Sequence, residues 1–202
     1  IILLLGISLW SFFTEATNVG MQSIVGRGDI LRKINFPKYI VVRSAMTSSL
    51  ISLSINLVVV FIFALFTGVK FTAWVLLLPL NIAQLFILAF GIALFLSTLY
   101  VKFRDIGHIW EVVLQVLFYA MPVMYPITQV ANVKILGIEA QKIMMLNPIA
   151  QTIQDIRHNL ISPSTVPTVW SMEGNVWISL IPIALTAIAF IIGLTYFRKN
   201  SK

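Results

Sequence analysis

The 202 residues contain no cysteine, which excludes disulfides and thiolate metal sites. Charge is scarce too, at 10% of the chain, where a soluble domain carries about 25%. Acids are the rarer sign, with seven Asp and Glu against 14 Lys and Arg. No glycine is followed by lysine, so the phosphate-binding GxxxxGKS/T loop is missing and ATP hydrolysis by that route is excluded. The only histidines are His108 and His158.

What remains is apolar. Hydrophobic residues make up 59% of the chain and the mean hydropathy is +0.96. A chain of this size still exposes much of its surface when folded, so one aqueous core cannot hide that much apolar side chain. Lipid is the solvent that fits, and the net charge of +7 reads as basic loops beside anionic lipid rather than a nucleic-acid surface. The expected fold is an all-α membrane bundle forming a single transmembrane domain.

Charge-free stretches place the spans. They run for 26 residues after Arg43, 31 after Lys70, 22 after Glu111 and 24 after Glu173, and about 20 apolar residues cross a bilayer. Spans follow near 44–68, 72–99, 108–125 and 176–197, with a fifth near 4–25 that is interrupted by Glu15. Pro122 and Pro126 should bend or end the 108–125 span. Orientation follows from the loops. If 26–43 faces the cytoplasm, so do 100–108 and 198–202, and that side holds ten Lys and Arg against four on the other. Residues 126–175 then form the long outer segment. Within it Ile149, Ile153, Ile156 and Leu160 repeat at helical spacing opposite Gln151, Gln154, Asp155 and His158, which predicts a short amphipathic helix in or near the outer interface.

Polar residues within spans are the functional candidates. Ser8, Ser11, Glu15, Asn18 and Gln22 share one helix face. Because an ionisable group in lipid costs on the order of 3 kcal/mol, this face should look into protein or water, as the lining of a polar passage or as a hydrogen-bonded helix seam. Ser44, Ser48, Ser52 and Asn56 read as a packing row, and Asn81 with Gln84 makes a smaller polar pair. The loop 27–43 alternates basic and apolar residues around Pro37, suiting either a topological anchor or a docking element for a cytoplasmic partner. Asp105, His108 and Glu111 lack a fourth neighbour and do not make a usual metal site. Trp10, Tyr125, Trp170 and Trp177 fall near outer interfaces, as an aromatic belt or as stacking surfaces for sugar rings at an outer mouth.

Four runs carry a family resemblance: GISLWSFFTEATNVGMQSIVGRGDILRKINFPKYIVV at 6–42, LSTLYVKFRDIGHIWEVVLQ at 96–115, YAMPVMYPIT at 119–128 and LNPIAQTIQDIR at 146–157. They resemble the membrane subunit of ABC transporters that export surface polysaccharides such as O-antigen, teichoic acid and rhamnose-rich glycans. The resemblance implies six spans after an amphipathic N-terminal helix. Since the sequence opens on Ile1 inside an apolar run, that helix and the first span are expected to be missing from it.

The resemblance further implies a bacterial cytoplasmic-membrane permease that pairs with itself and with a cytoplasmic ATPase. Arg32, Lys33, Ile34, Asn35, Phe36, Pro37, Lys38 and Tyr39 would form the coupling element, with Arg104 and Asp105 as a smaller second contact. Residues 126–157 would form short re-entrant helices at the outer mouth. The cargo would be a glycan on a polyprenyl diphosphate. The chain itself would bind no cofactor, ATP being used by the partner. Glu15 departs from the neutral polar residue of many relatives. A permease for a drug or another lipid is the nearest alternative. A membrane-bound glycosyltransferase would need grouped acids and a base, and the cytoplasmic acids Asp29, Asp105 and Glu111 have no partnered base.

Overall fold

The structure, a computed structural model, describes residues 1–26, 38–69, 71, 73–130, 133–135, 138–161, 166–172 and 176–200. Long apolar helices dominate. Helix α1 spans Ile2–Gly26, α2 Lys38–Phe66, α3 Leu78–Lys102 and α9 Ile181–Asn200. With the short 3-10 turn Ala73–Leu77 ahead of α3 and Trp177–Ser179 ahead of α9, these four units are long and apolar enough to cross a membrane. They match the expected spans near 4–25, 44–68, 72–99 and 176–197.

Helix α4, Ile106–Ala120, has 15 residues, or about 22 Å at 1.5 Å per residue, short of the ~30 Å hydrocarbon core. Its end has a local cause. Pro122 disfavours helical backbone at the residue before it, and Met121 sits extended at φ −108°, ψ 154°. The remainder of the expected 108–125 span is a turn.

Between α4 and α9 the chain folds back on the bundle end in short pieces. A 3-10 turn covers Ile127–Val130, and a two-residue antiparallel ladder pairs Lys134–Ile135 with Ile138–Glu139. Helix α5 follows at Ala140–Met145, α6 at Pro148–Leu160, α7 at Val169–Met172 and α8 at Val176–Ser179. The start of α6 is written in its sequence. The Asn147 side chain accepts from Ile149 N–H at 3.0 Å, and Pro148 occupies the first turn, where its missing donor costs nothing.

The core runs between α1 and α3, where Leu5, Leu9, Phe12 and Phe13 meet Leu85, Leu88, Ala89 and Leu94. Small residues let backbones approach. A Cβ on Gly91 would lie 2.6 Å from Phe190 Cα, and one on Gly193 would run into the Gly91 carbonyl, so α3 and α9 touch backbone to backbone. The outer faces of α2 and α9 instead expose Ile51, Ile55, Val58, Ile62, Ile188 and Ile191, a surface suited to lipid and not to water. Ser44, Ser48 and Asn56 also point away from the described bundle, while Ser52 is half-buried.

The two ends of the bundle differ in charge. Lys38, Thr98, Lys102, Phe197 and Asn200 gather around a hollow of about 100 Å³, and Lys102 Nζ donates to Asn200 Oδ1 at 3.0 Å. This end also carries Arg104, Arg198 and Lys199. The opposite end holds α6, with Ile2, Pro126, Ile127, Arg157 and Pro167 around a second small hollow.

Candidate functional site

A cavity of ≈ 600 Å³ lies between α1 and α4, lined by Trp10, Thr14, Asn18, Glu111, Leu114, Gln115, Phe118 and Tyr119. Each helix contributes one face. Trp10, Thr14 and Asn18 are four apart on α1, as are Glu111, Gln115 and Tyr119 on α4. Trp10 is buried, its ring 5.8 Å from Phe13 and 5.7 Å from Phe118. Thr14 Oγ1 has no hydrogen-bond partner. Trp110 Nε1 donates to Thr17 Oγ1 at 3.2 Å and joins the two helices. A polar wall of amide, hydroxyl and carboxyl groups beside indole, phenyl and phenol rings suits a hydroxyl-rich ligand.

Of the stripe expected on α1, Asn18 reaches this cavity. Ser8 is buried and donates to the Leu4 carbonyl of its own helix at 2.8 Å, which absorbs it into the seam. Ser11 and Gln22 are exposed and Glu15 is half-buried, none of them on the cavity wall. Thr14, Glu111 and Gln115 line the cavity from outside the expected stripe. The facing i, i+4 rows on α1 and α4 were the available signal.

At the basic end, Arg32, Lys33, Ile34, Asn35, Phe36 and Pro37 lie outside the described residues. Lys38 and Tyr39 open α2, with Tyr39 exposed, and Arg104 and Asp105 lead into α4. The Arg104 guanidinium sits over the Tyr100 ring, 5.5 Å from its centre. His108 and Glu111 form one exposed contact at 3.8 Å. Among the described residues no group of three potential ligands could hold a metal.

At the other end, α6 departs from its expected setting. The helix is where the periodicity puts it, but its polar side is buried as well as its apolar side: Gln151, Gln154, Asp155 and Arg157 are all covered. The reason is the folded-back end, which brings α3 and the chain after α6 over the polar face. Gln84 Nε2 donates to Gln151 Oε1 at 2.9 Å, and Gln151 Nε2 donates to Asp155 Oδ2 at 2.8 Å. Arg157 donates to the Pro122 and Val123 carbonyls, 2.6 Å each. Tyr125 is half-buried, with its hydroxyl 3.9 Å from Met144 Sδ, and Trp170 is exposed on a separate cavity.

Burial raises Asp155 from 3.8 to about 7, with Gln151 and the nearby Trp170 indole opposing the shift. Between those values the folded protein holds a proton that the unfolded chain has released. This contribution is therefore full below about pH 4 and is lost as pH rises through 7, on the order of a few kcal/mol across the window. Melting temperatures of wild type and Asp155→Asn at pH 5 and pH 7.5 check this. The wild type should lose more on going to pH 7.5, and parallel behaviour would contradict it.

Residues 1–161 match the ABC-2 type transporter family. The chain belongs to that family. Being ABC-2, with four apolar helices long enough to cross, it is a multi-pass membrane protein. Among curated proteins it is similar to the O-antigen export system permease protein RfbA of Myxococcus xanthus, 26% identical over 127 residues, covering 63% of this chain and 49% of the relative. It is likewise similar to a protein of that name from Klebsiella pneumoniae, 27% identical over 127 residues, covering 62% of this chain and 49% of the relative. A second Klebsiella protein of the name is 23% identical over 124 residues, 61% of this chain and 48% of that protein. The matches thus span about half the length of these relatives.

Proposed function

We propose that this ABC-2 chain is the permease part of an ATP-driven exporter that moves a lipid-linked cell-surface polysaccharide across the cytoplasmic membrane. The observation that carries this reading is its similarity to three O-antigen export permeases. The α1–α4 cavity supports it. Trp10, Asn18, Gln115 and Tyr119 offer stacking faces beside hydrogen-bonding groups, which suits successive sugar rings better than a wholly apolar drug. The basic end carrying Lys38, Lys102, Arg104, Arg198 and Lys199 faces the cytoplasm by the positive-inside rule.

Energy comes from a separate ATPase, and two permeases pair around the cargo. The loop before α2 is the contact. By its sequence a segment containing Pro37 is stiffer than a Gly/Ser linker, so a push on it would pass to both flanking helices, where a slack linker would absorb it. Phe36 and Tyr39 are its aromatic anchors. Truncating such an anchor commonly costs about 2 kcal/mol or more. A Phe36→Ala, Tyr39→Ala double variant should insert normally yet lose most of its co-purifying ATPase. Arg32→Ala should matter less, because rim charges act mainly on encounter rate. Wild-type recovery of the ATPase with the double variant would refute this contact.

A further inference from the structure

A second cavity, ≈ 400 Å³, opens between α3, α6 and α9 and shares no lining residue with the cavity beside α1. Its volume lies within the ~300–1,000 Å³ of small-molecule sites. Its interior is polar and its mouth is not. Asn81 and Gln84 come from α3, and Gln151 and Asp155 from α6. At the mouth stand Trp74, 51% exposed, Trp170, 47% exposed, and Leu80, 68% exposed. In a membrane protein, exposed indoles and aliphatic chains of this kind meet lipid at headgroup level.

Two polar atoms of the lining residues are buried without a partner: Asn81 Nδ2 and Asp155 Oδ1. Buried polar groups are normally satisfied, so an orphaned pair at one cavity asks for an explanation. The amide relay Gln84–Gln151–Asp155 occupies Asp155 Oδ2; the Trp170 indole lies near the carboxyl, yet Oδ1 has no hydrogen bond of full geometry. One orphan only donates, and the other is an oxygen able to accept. With Asp155 ionised, a phosphate would serve only the first and be repelled by the carboxylate, and an ammonium would serve only the second; a hydroxyl serves both, and it can also accept from Asp155 when that carboxyl is protonated. The indoles at the mouth add flat apolar faces on which a sugar ring can lie.

We propose that this cavity binds the neutral, hydroxyl-rich headgroup of a membrane lipid, with a sugar ring between Trp74 and Trp170, its hydroxyls toward Asn81 and Asp155, and its acyl chains over Leu77, Leu80 and Ile183. Such a lipid is a bound component of the bilayer, not cargo, so the site stands whether or not the export reading does.

The test uses the protein purified in lauryldimethylamine oxide, which has no sugar headgroup. Monoglucosyl-diacylglycerol is titrated in mixed micelles and retention is read by native mass spectrometry alongside thermal melting. The glucosyl lipid should be retained in preference to phosphatidylcholine, whose headgroup has no hydroxyl, and should raise the melting temperature. Asn81→Leu and Trp74→Ala should each weaken retention about fivefold to tenfold. Trp74 is half-exposed, so its variant keeps the fold and the test stands even if Asn81→Leu does not fold. Equal retention of phosphatidylcholine, or indifference to Trp74→Ala, would overturn the site. Tail-free methyl glucoside binding as tightly as the glucosyl lipid would overturn its assignment to a lipid.

Discussion

Arg157→Ala is expected to destabilise the protein by about 2–6 kcal/mol, because it leaves two buried carbonyls without a donor at about 1–3 kcal/mol each. The side chain is 1% exposed. Its two terminal nitrogens donate to consecutive carbonyls, Pro122 and Val123, in the turn that ends α4. Neither carbonyl belongs to a helix ladder, so removing the guanidinium leaves both without a donor where water does not reach. It also leaves a void beside Gly6, where even a Cβ would meet the guanidinium. Burial lowers the Arg157 pKa to about 10, so the group is still charged at neutral pH. Arg157→Lys should recover only part of the loss, because an ammonium on one stem cannot reproduce a two-pronged donor. Since folded proteins hold only about 5–15 kcal/mol in reserve, the alanine variant should melt far below wild type and accumulate poorly. Equal melting temperatures would show that Arg157 does not pin α6 to the end of α4.

Gly193→Leu is the second large effect. A Cβ at this position meets the carbonyl, the carbonyl carbon and the Cα of Gly91, which are backbone and cannot rotate away. The helices must separate, and α3 with α9 is among the most extensive contacts in the bundle. A cost on the order of 3 kcal/mol or more follows, the upper part of the range for overpacked cores. Gly193→Ala should do less but move in the same direction. Gly26→Ala is the control. Nothing lies within 4 Å of a Cβ there, and a helix tolerates alanine better than glycine. Size-exclusion profiles of the three variants in detergent decide the matter. The leucine variant should aggregate while Gly26→Ala elutes as wild type does, and a monodisperse Gly193→Leu protein would contradict the close approach.

The spans were legible because lipid imposes a simple rule: a long helix without charge must cross it. Helix α6 was equally readable, from an apolar row at helical spacing. What covers the helix was not. Periodicity reports the face an isolated helix would bury, and α6 buries both, because Gln84 of α3 supplies a polar partner from 67 positions away. Arg157 was counted as one more outer-side cation for the same reason, since its two carbonyl acceptors lie 34 and 35 positions upstream. On α1 the polar row meets the α1–α4 cavity only at Asn18. Ser8 satisfies itself within its helix, while Thr14 joins Asn18 on the cavity wall opposite Glu111 and Gln115. A row of polar side chains does not say which of its members a neighbouring helix will meet.

The central claim is that this chain moves a lipid-linked glycan outward. The most direct measurement is to deplete the protein in its own cell and assay polyprenyl-linked glycan on each side of the membrane with an enzyme that cannot cross it. The account predicts that the lipid-linked glycan accumulates on the cytoplasmic side, protected from the enzyme, while surface polysaccharide falls. Unchanged surface polysaccharide with no protected pool would contradict it.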